Sequence, residues 1–312
     1  MRMYWLDRLN IHPVKHRKIF YIVTAAYITA ALILVFTRGL NLGIDFTGGS
    51  LLTRTFTHPV SVAAVRAALE SPEAAQLNLG AVSVQSSTRD TLIIRTRPLN
   101  NRDEAKVDQI LASKVAPLVT ERSASDMVGP VIGRQMVVQA IWQVALASLF
   151  ILIYIALRFD FKFGVAGVLA LLHDVIFTLG VFALTQEQVN MPFVAAMLTI
   201  VGYSINDTVV IFDRIRENLR IRKSVRDLAE IADDSINQAL ARSINTVMTV
   251  LITVLVLFIA AASLREFTLA LLFGITSGAY SSIFIASPLW VDFEGGTRAT
   301  GGKGAKPAKA KA

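Results

Sequence analysis

Long apolar stretches dominate this chain, and one polar stretch of mixed character interrupts them. The first apolar run covers residues 19–37. About 19 residues at 1.5 Å each suffice to cross a hydrocarbon core of roughly 30 Å. Residues 38–134 lose that character, and from residue 135 the apolar runs resume at about 136–157, 165–185, 191–212, 243–262 and 267–290. The pattern predicts six membrane-spanning helices with one folded domain between the first and second. The first run is longer than a signal-peptide core and has no small-residue cleavage site after it, so it reads as a retained span.

Within 38–134 the periodicity shortens to that of a small α+β domain. Residues 50–57 read as a strand, and 60–70 as a helix with Ala63, Val65 and Leu69 among its apolar positions, broken at Ser71-Pro72. Residues 82–85 and 91–96 are β-rich runs flanking Ser87-Thr88-Arg89-Asp90, a hairpin signal. Asn100 and Asn101 cap a helix that runs to Val115, with Asp103 and Glu104 in its first turn. A last strand is expected at 119–123. The order βαββαβ is that of the ferredoxin-like split βαβ module, which hosts many unrelated roles.

Composition agrees with a membrane protein: of 312 residues 54% are hydrophobic and 17% charged, against about a quarter charged in soluble domains. There is no cysteine, and the four histidines (His12, His16, His58, His173) form no ligand pair, so disulfide, thiol and common metal chemistries are not expected. Thr300-Gly301-Gly302-Lys303-Gly304 lacks phosphate-loop spacing, and neither a nucleotide site nor a nucleophile–base pair is visible.

The net charge of +8 lies largely beside the spans, where it reads as orientation signal and lipid contact rather than nucleic-acid binding. Arg158 and Lys162 follow the second span; Arg214, Arg216, Arg220, Arg222, Lys223 and Arg226 follow the fourth. Residues 186–190 carry no base, and 261–266 only Arg265. The positive-inside rule then places both termini in the cytoplasm and the 38–134 domain outside. Residues 1–18 form a basic cytoplasmic segment in which Tyr4 and Trp5 suit a membrane interface. Segment 213–241, with Ile221, Val225, Leu228, Ile231 and Ile236, suggests an amphipathic helix along the membrane surface. The Gly/Ala/Lys-rich tail, 293–312, is expected to be disordered.

Chemistry is sought where polar groups sit inside spans, because a carboxylate there has neither water nor a cheap partner. An Asp near a span centre costs about 2.5–3.5 kcal/mol on insertion scales, and such residues default to functional roles. Asp207 lies about 16 residues into the fourth span, roughly 24 Å down. Asn206 beside it suits helix–helix hydrogen bonding. Asp213 falls at the cytoplasmic edge, about 240° further round the helix; a solvated charge and a proton-entry role fit it equally.

The fifth span opens with Arg242, then Asn245, Thr246, Thr249 and Thr253. Their spacing keeps them on one stripe, expected to face the bundle interior, although Arg242 could equally snorkel to headgroups. His173 and Asp174 lie near the middle of the third span, either as a satisfied polar pair or as a relay. Asp174 shares a face with Gly167, Leu171 and Thr178. In the sixth span Gly274, Gly278 and Ser282 have the small-xxx-small spacing of close helix packing.

Several motifs, in order, resemble the SecF family of bacterial protein export. Gly43-Ile44-Asp45-Phe46-Thr47-Gly48-Gly49 is similar to its motif after the first span. Residues 201–218, ending Asp213-Arg214-Ile215-Arg216-Glu217-Asn218, resemble its fourth-span signature. Arg242-Ser243-Ile244-Asn245-Thr246 and Phe273-Gly274-Ile275-Thr276-Ser277-Gly278 resemble those of the fifth and sixth spans. The likeness covers about residues 10–292.

The resemblance implies an RND-superfamily half of six spans that pairs with SecD into a pseudo-symmetric unit. It further implies use of the proton-motive force to help draw preproteins outward after the SecYEG channel and SecA have threaded them. No cofactor is implied beyond protons as coupling ion. By motif match Asp207 is the proton carrier and Arg242 its basic partner, with Asp213, Asp174 and His173 in support. Two other classes remain open: an RND-type exporter of lipids or small molecules, for which the outer domain is small, and a scaffold that stabilises SecD and the channel without transporting.

Overall fold

The computed structural model describes residues 10–80, 82–221 and 227–295. Among these, six helices are long and apolar enough to cross a membrane. In chain order the elements begin with α1 (Arg17–Thr37), β1 (Asn41–Leu42), α2 (Ile44–Thr47), β2 (Gly49–Thr55), α3 (Val62–Leu69) and α4 (Pro72–Ala75). There follow β3 (Ser83–Ser86), β4 (Thr91–Thr96), α5 (Asn101–Lys114), β5 (Ala124–Val128), α6 (Pro130–Arg158) and α7 (Phe161–Thr185). The chain closes with β6 (Gln188–Val189), α8 (Met191–Ile221), α9 (Leu228–Ala260), α10 (Arg265–Ser281) and α11 (Ser287–Phe293). The last two are one span, joined by a π-helical turn over residues 282–286. That turn accommodates Pro288, whose ring and missing N–H would break an α-helix.

The small domain is a four-stranded antiparallel sheet in the order β3-β4-β2-β5. Local signals set its helices: Ser61 Oγ accepts the Ala64 N–H at 3.1 Å, and Asn100 Oδ1 the Asp103 N–H at 2.8 Å. Leu52, Phe56, Val65, Leu92, Ile94, Val107 and Leu111 fill the space between sheet and helices.

The last strand lies at 124–128, not at the expected 119–123. Leu118 forms only an isolated bridge to Phe56, and a tight turn at residues 120–122 follows. The mixed run Ala124–Val128 then pairs with β2 from Thr53 back to Gly49. Being a largely exposed edge strand, it has no apolar face to advertise in sequence.

Two helices run past the membrane. With 31 residues α8 is about 46 Å long, and α9 with 33 residues about 50 Å. Their shared extension is a helical hairpin, not the surface helix expected at 213–241. Ile215, Ile231, Ala232 and Ile236 turn toward protein and pack with Val14 of the N-terminal segment. Asn218 Nδ2 donates to Ser235 Oγ at 2.8 Å across the hairpin. Asp233 then fixes the N-terminal segment by accepting the Val14 and Lys15 N–H groups at 2.8 and 3.3 Å. The expectations for Tyr4, Trp5, Val225 and residues 296–312 fall outside the described residues.

Three helices, α7, α8 and α10, form the packed centre, while the window of α9 with the highest hydropathy is mostly exposed. Two apolar clusters fill that centre. One, toward the sheet domain, contains Phe182, Phe193, Ile200 and Ile275; the other, toward the termini, contains Phe163, Phe212, Ile283 and Trp290. Between them lies a polar layer.

Candidate functional site

Close helix approach creates that layer. A methyl group on Gly274 would strike the Ile200 side chain, and one on Gly278 would sit 2.9 Å from Ser204 Cβ. The small residues of α10 thus let α8 come near enough for hydroxyls to bridge.

Asp174 of α7 is the centre of the layer, with no exposed surface. Its Oδ2 accepts from Ser204 Oγ at 2.6 Å and Ser281 Oγ at 2.8 Å; its Oδ1 accepts from Ser277 Oγ at 2.7 Å. His173 Nδ1 is 3.0 Å from the same Oδ1, and His173 Nε2 is bonded to the Tyr27 hydroxyl of α1. Adjacent on the helix, the two residues diverge: Asp174 faces α8 and α10, His173 faces α1. Burying a carboxylate is tolerable only when its lone pairs are satisfied, and three serine hydroxyls donate to it.

Asp207, one turn beyond Ser204 on α8, is 8% exposed. Its Oδ2 is buried without a hydrogen-bond partner, as is Ser243 Oγ on α9. Ser243, and after it the charge of Arg242, act on this carboxyl, with no ion pair from Arg242 found among the described residues.

The polar stripe of α9 does not point into this chain's bundle. Arg242, Asn245, Thr246, Thr249 and Thr253 are all exposed. The threonine hydroxyls turn back on their own helix, to the carbonyls of Arg242, Thr246 and Thr249 at 2.8–3.0 Å. The span part of α9 buries only Ser243 and Val254 among the described residues, which leaves most of the stripe uncovered. Asn206 is exposed on the same side and makes no interhelical hydrogen bond among the described residues, contrary to expectation. Asp213 stands apart from Asp207, half exposed and 3.6 Å from Arg158.

The motif after the first span forms a turn joining the bundle to the sheet. Gly43 N–H donates to the Val189 carbonyl at 2.7 Å, and Asp45 Oδ2 accepts the Met191 N–H at 2.7 Å, at the start of α8. Phe46 is buried beside Phe182 and Phe193. Gly48 and Gly49 have φ of +75° and +154°, and a methyl on Gly49 would meet the Thr96 carbonyl at 2.6 Å.

Sequence reasoning missed Tyr27, Ser204, Ser277, Ser281 and Ser243. Ser277 and Ser281 are spaced four apart beside the glycines of α10, a signal for hydroxyls on the packing face.

Among known proteins, the profile for "Protein export membrane protein SecD/SecF, C-terminal" matches residues 107–295, and that for the "SecD/SecF GG Motif" matches residues 33–60. The chain is 39% identical to the protein translocase subunit SecF of Sebaldella termitidis, covering 90% of this chain and 91% of that one. It is 36% identical to the protein translocase subunit SecDF of Bacillus subtilis, covering 89% of this chain and 37% of that one. The crystal structure of SecDF from Thermus thermophilus, described as a translocon-associated membrane protein, superposes with a TM-score of 0.82 at 34% identity, covering 93% of this chain and 39% of that one. With the profile spanning more than half its length and its fold matched, this chain belongs to the SecD/SecF family of protein export membrane proteins.

Proposed function

We propose that this chain is the SecF-type half of a unit that uses the proton-motive force, with a SecD-type partner, to help carry preproteins across the cytoplasmic membrane. Asp207 carries the proposal: a carboxyl within a span, nearly buried, with one oxygen unpartnered and a cation on the adjacent helix. In this reading Arg242 holds the carboxylate form, and a helix movement that separates the two favours proton uptake. Asp45 and the Arg95–Glu266 contact, 3.9 Å between sheet and α10, would pass the movement to the outer domain.

The uncovered polar stripe supports the partner. Arg242, Asn245 and Thr249 would face lipid unless a second protein covers them, and the relatives named SecDF carry more than half of their length beyond the matched part. Both termini are assigned to the cytoplasm, and the SecYEG channel with SecA would supply the preprotein.

A lipid-exporter reading has one observation in its favour. An apolar groove of about 510 Å³ lies between α6, α7 and α8, lined by Val137, Ile141, Leu172, Leu179, Phe193 and Met197. The deciding experiment is protonophore-sensitive preprotein release from proteoliposomes containing the partnered chain. Asp207→Asn, still assembling with its partner, is expected to abolish it. Undiminished release would sink the proton-driven reading and leave a scaffold.

A further inference from the structure

We propose that Asp207 exchanges its proton through a bound water with the Asp174–His173–Tyr27 chain, which leads it toward the terminal side of the membrane through Thr24 and Tyr280. The inference rests on the proton-driven reading and adds the route and its residues.

The water site is built from three features. A cavity of about 20 Å³ is lined by Ser204, Asn206, Asp207 and Thr246, with Gly278 as its small wall. A void above roughly 10–15 Å³ with two to four polar partners holds a water. Asp207 Oδ2 makes no hydrogen bond of ordinary geometry, although Ser243 acts on the same carboxyl, and Ser204 Oγ keeps accepting capacity while donating to Asp174. One water therefore joins two groups one helical turn apart.

Beyond Ser204 the links are already made. Ser204, Asp174, His173 and Tyr27 form an unbroken hydrogen-bonded series across α8, α7 and α1. The Tyr27 hydroxyl is within reach of Thr24 and Tyr280, which are bonded to each other at 3.2 Å. One turn nearer the terminal side, the Tyr21 hydroxyl donates to Asp292 at 2.9 Å, and Arg17 lies 2.8 Å from the same carboxylate. Beside this series, Thr208 and Ser282 share a hydrogen bond of 2.7 Å between their hydroxyls.

The transfer balances at each step. The acid Asp207 gives its proton to the water, the water gives one to Ser204 Oγ, and Ser204 gives its own to Asp174 Oδ2. After a half turn of the carboxyl, Asp174 gives that proton to His173 Nδ1. The imidazole releases the proton on Nε2 to the Tyr27 oxygen, Tyr27 gives its own hydroxyl proton to the Tyr280 oxygen, and Tyr280 gives its own to Thr24 Oγ1, which releases one to water on the terminal side. Asp207 and Asp174 return to carboxylates, and the imidazole is left as the other tautomer, resetting when the ring turns over.

The test is proton entry into proteoliposomes holding the chain with its partner, under an imposed pH gradient with an enclosed pH dye. Tyr27→Phe, which removes one hydroxyl, and Ser204→Ala should each slow entry at least about tenfold. Both should also enlarge the solvent deuterium isotope effect with assembly unchanged, and Tyr27→Phe should do so at an unchanged melting temperature, a change that a purely structural role would not produce. Unaltered flux and isotope effect in Tyr27→Phe, with Asp207→Asn still blocking entry, would overturn the route alone. Unaltered flux in Asp207→Asn would overturn the proton-driven reading beneath it.

Discussion

Asp45 Oδ2 accepts the Met191 N–H at 2.7 Å, so the turn that starts the sheet domain also caps the helix that carries Asp207. Asn190 Oδ1 caps the same end through the Phe193 N–H at 3.0 Å. Asp45→Ala is therefore expected to leave an orphaned donor and remove a negative charge from the positive end of α8. The loss should be about 1 kcal/mol, visible as a lower midpoint in thermal unfolding of the purified chain. Asp45→Asn keeps an acceptor and should lose less. Equal losses in the two would refute the capping role.

Gly274 and Ile200 should behave as one packing unit. A methyl on Gly274 strikes the Ile200 side chain, so Gly274→Ala alone should destabilise by about 1–3 kcal/mol through overpacking. Combined with Ile200→Val, part of that loss should return, because the shorter side chain frees the space. The coupling in a double-mutant cycle is expected to be at least about 0.5 kcal/mol. Additive losses would show that α10 shifts as a body instead.

These contacts show what was legible in the sequence. The six spans and the βαββαβ order could be read because hydrophobic period and cap residues are local properties. The glycines of α10 could be read as a packing face for the same reason. The donor set of Asp174 could not, since Ser204, Ser277 and Ser281 come from two other helices and only crossing geometry unites them. Periodicity defines the α9 stripe as one face without saying what lies opposite, and in the fold that face is exposed. The α8–α9 extension differs from the expected surface helix for the same reason: Ile231 and Ile236 have the same spacing whether they meet lipid or, as here, protein.

The sheet domain should lose stability in acid through Glu104. The Ser125 hydroxyl, then the Arg54 guanidinium, hold its carboxyl below the usual glutamate value, against the opposing effect of burial. A depressed native pKa contributes stability that is full above the unfolded pKa and fades as pH falls through the native one. Melting temperature should therefore fall below about pH 4.5, and Ser125→Ala should flatten that fall. Arg54 is 2% exposed and bonded to Glu104 and Asp108 at 2.5–3.1 Å. Arg54→Met should cost about 1.5–3 kcal/mol at neutral pH through its lost charged hydrogen bonds, the two carboxylates left behind being partly exposed to water.

Asp213 and Asp207 share a helix and six residues' separation, yet they should respond differently to the same substitution. Asp213 is half exposed, and its Arg158 partner lies 3.6 Å away in an equally open setting. Exposed pairs of this kind contribute about 0–1 kcal/mol, so Asp213→Asn should leave the melting temperature nearly unchanged. It should also leave proton entry and preprotein release intact, because Asp213 touches neither the polar layer nor Arg242. Asp207→Asn removes the titrating group and should stop both activities while the fold persists. Measured side by side in one reconstituted preparation, a large loss in Asp213→Asn would move the entry point for protons to the Arg158 edge. A loss confined to Asp207→Asn would locate it where α8 faces α9.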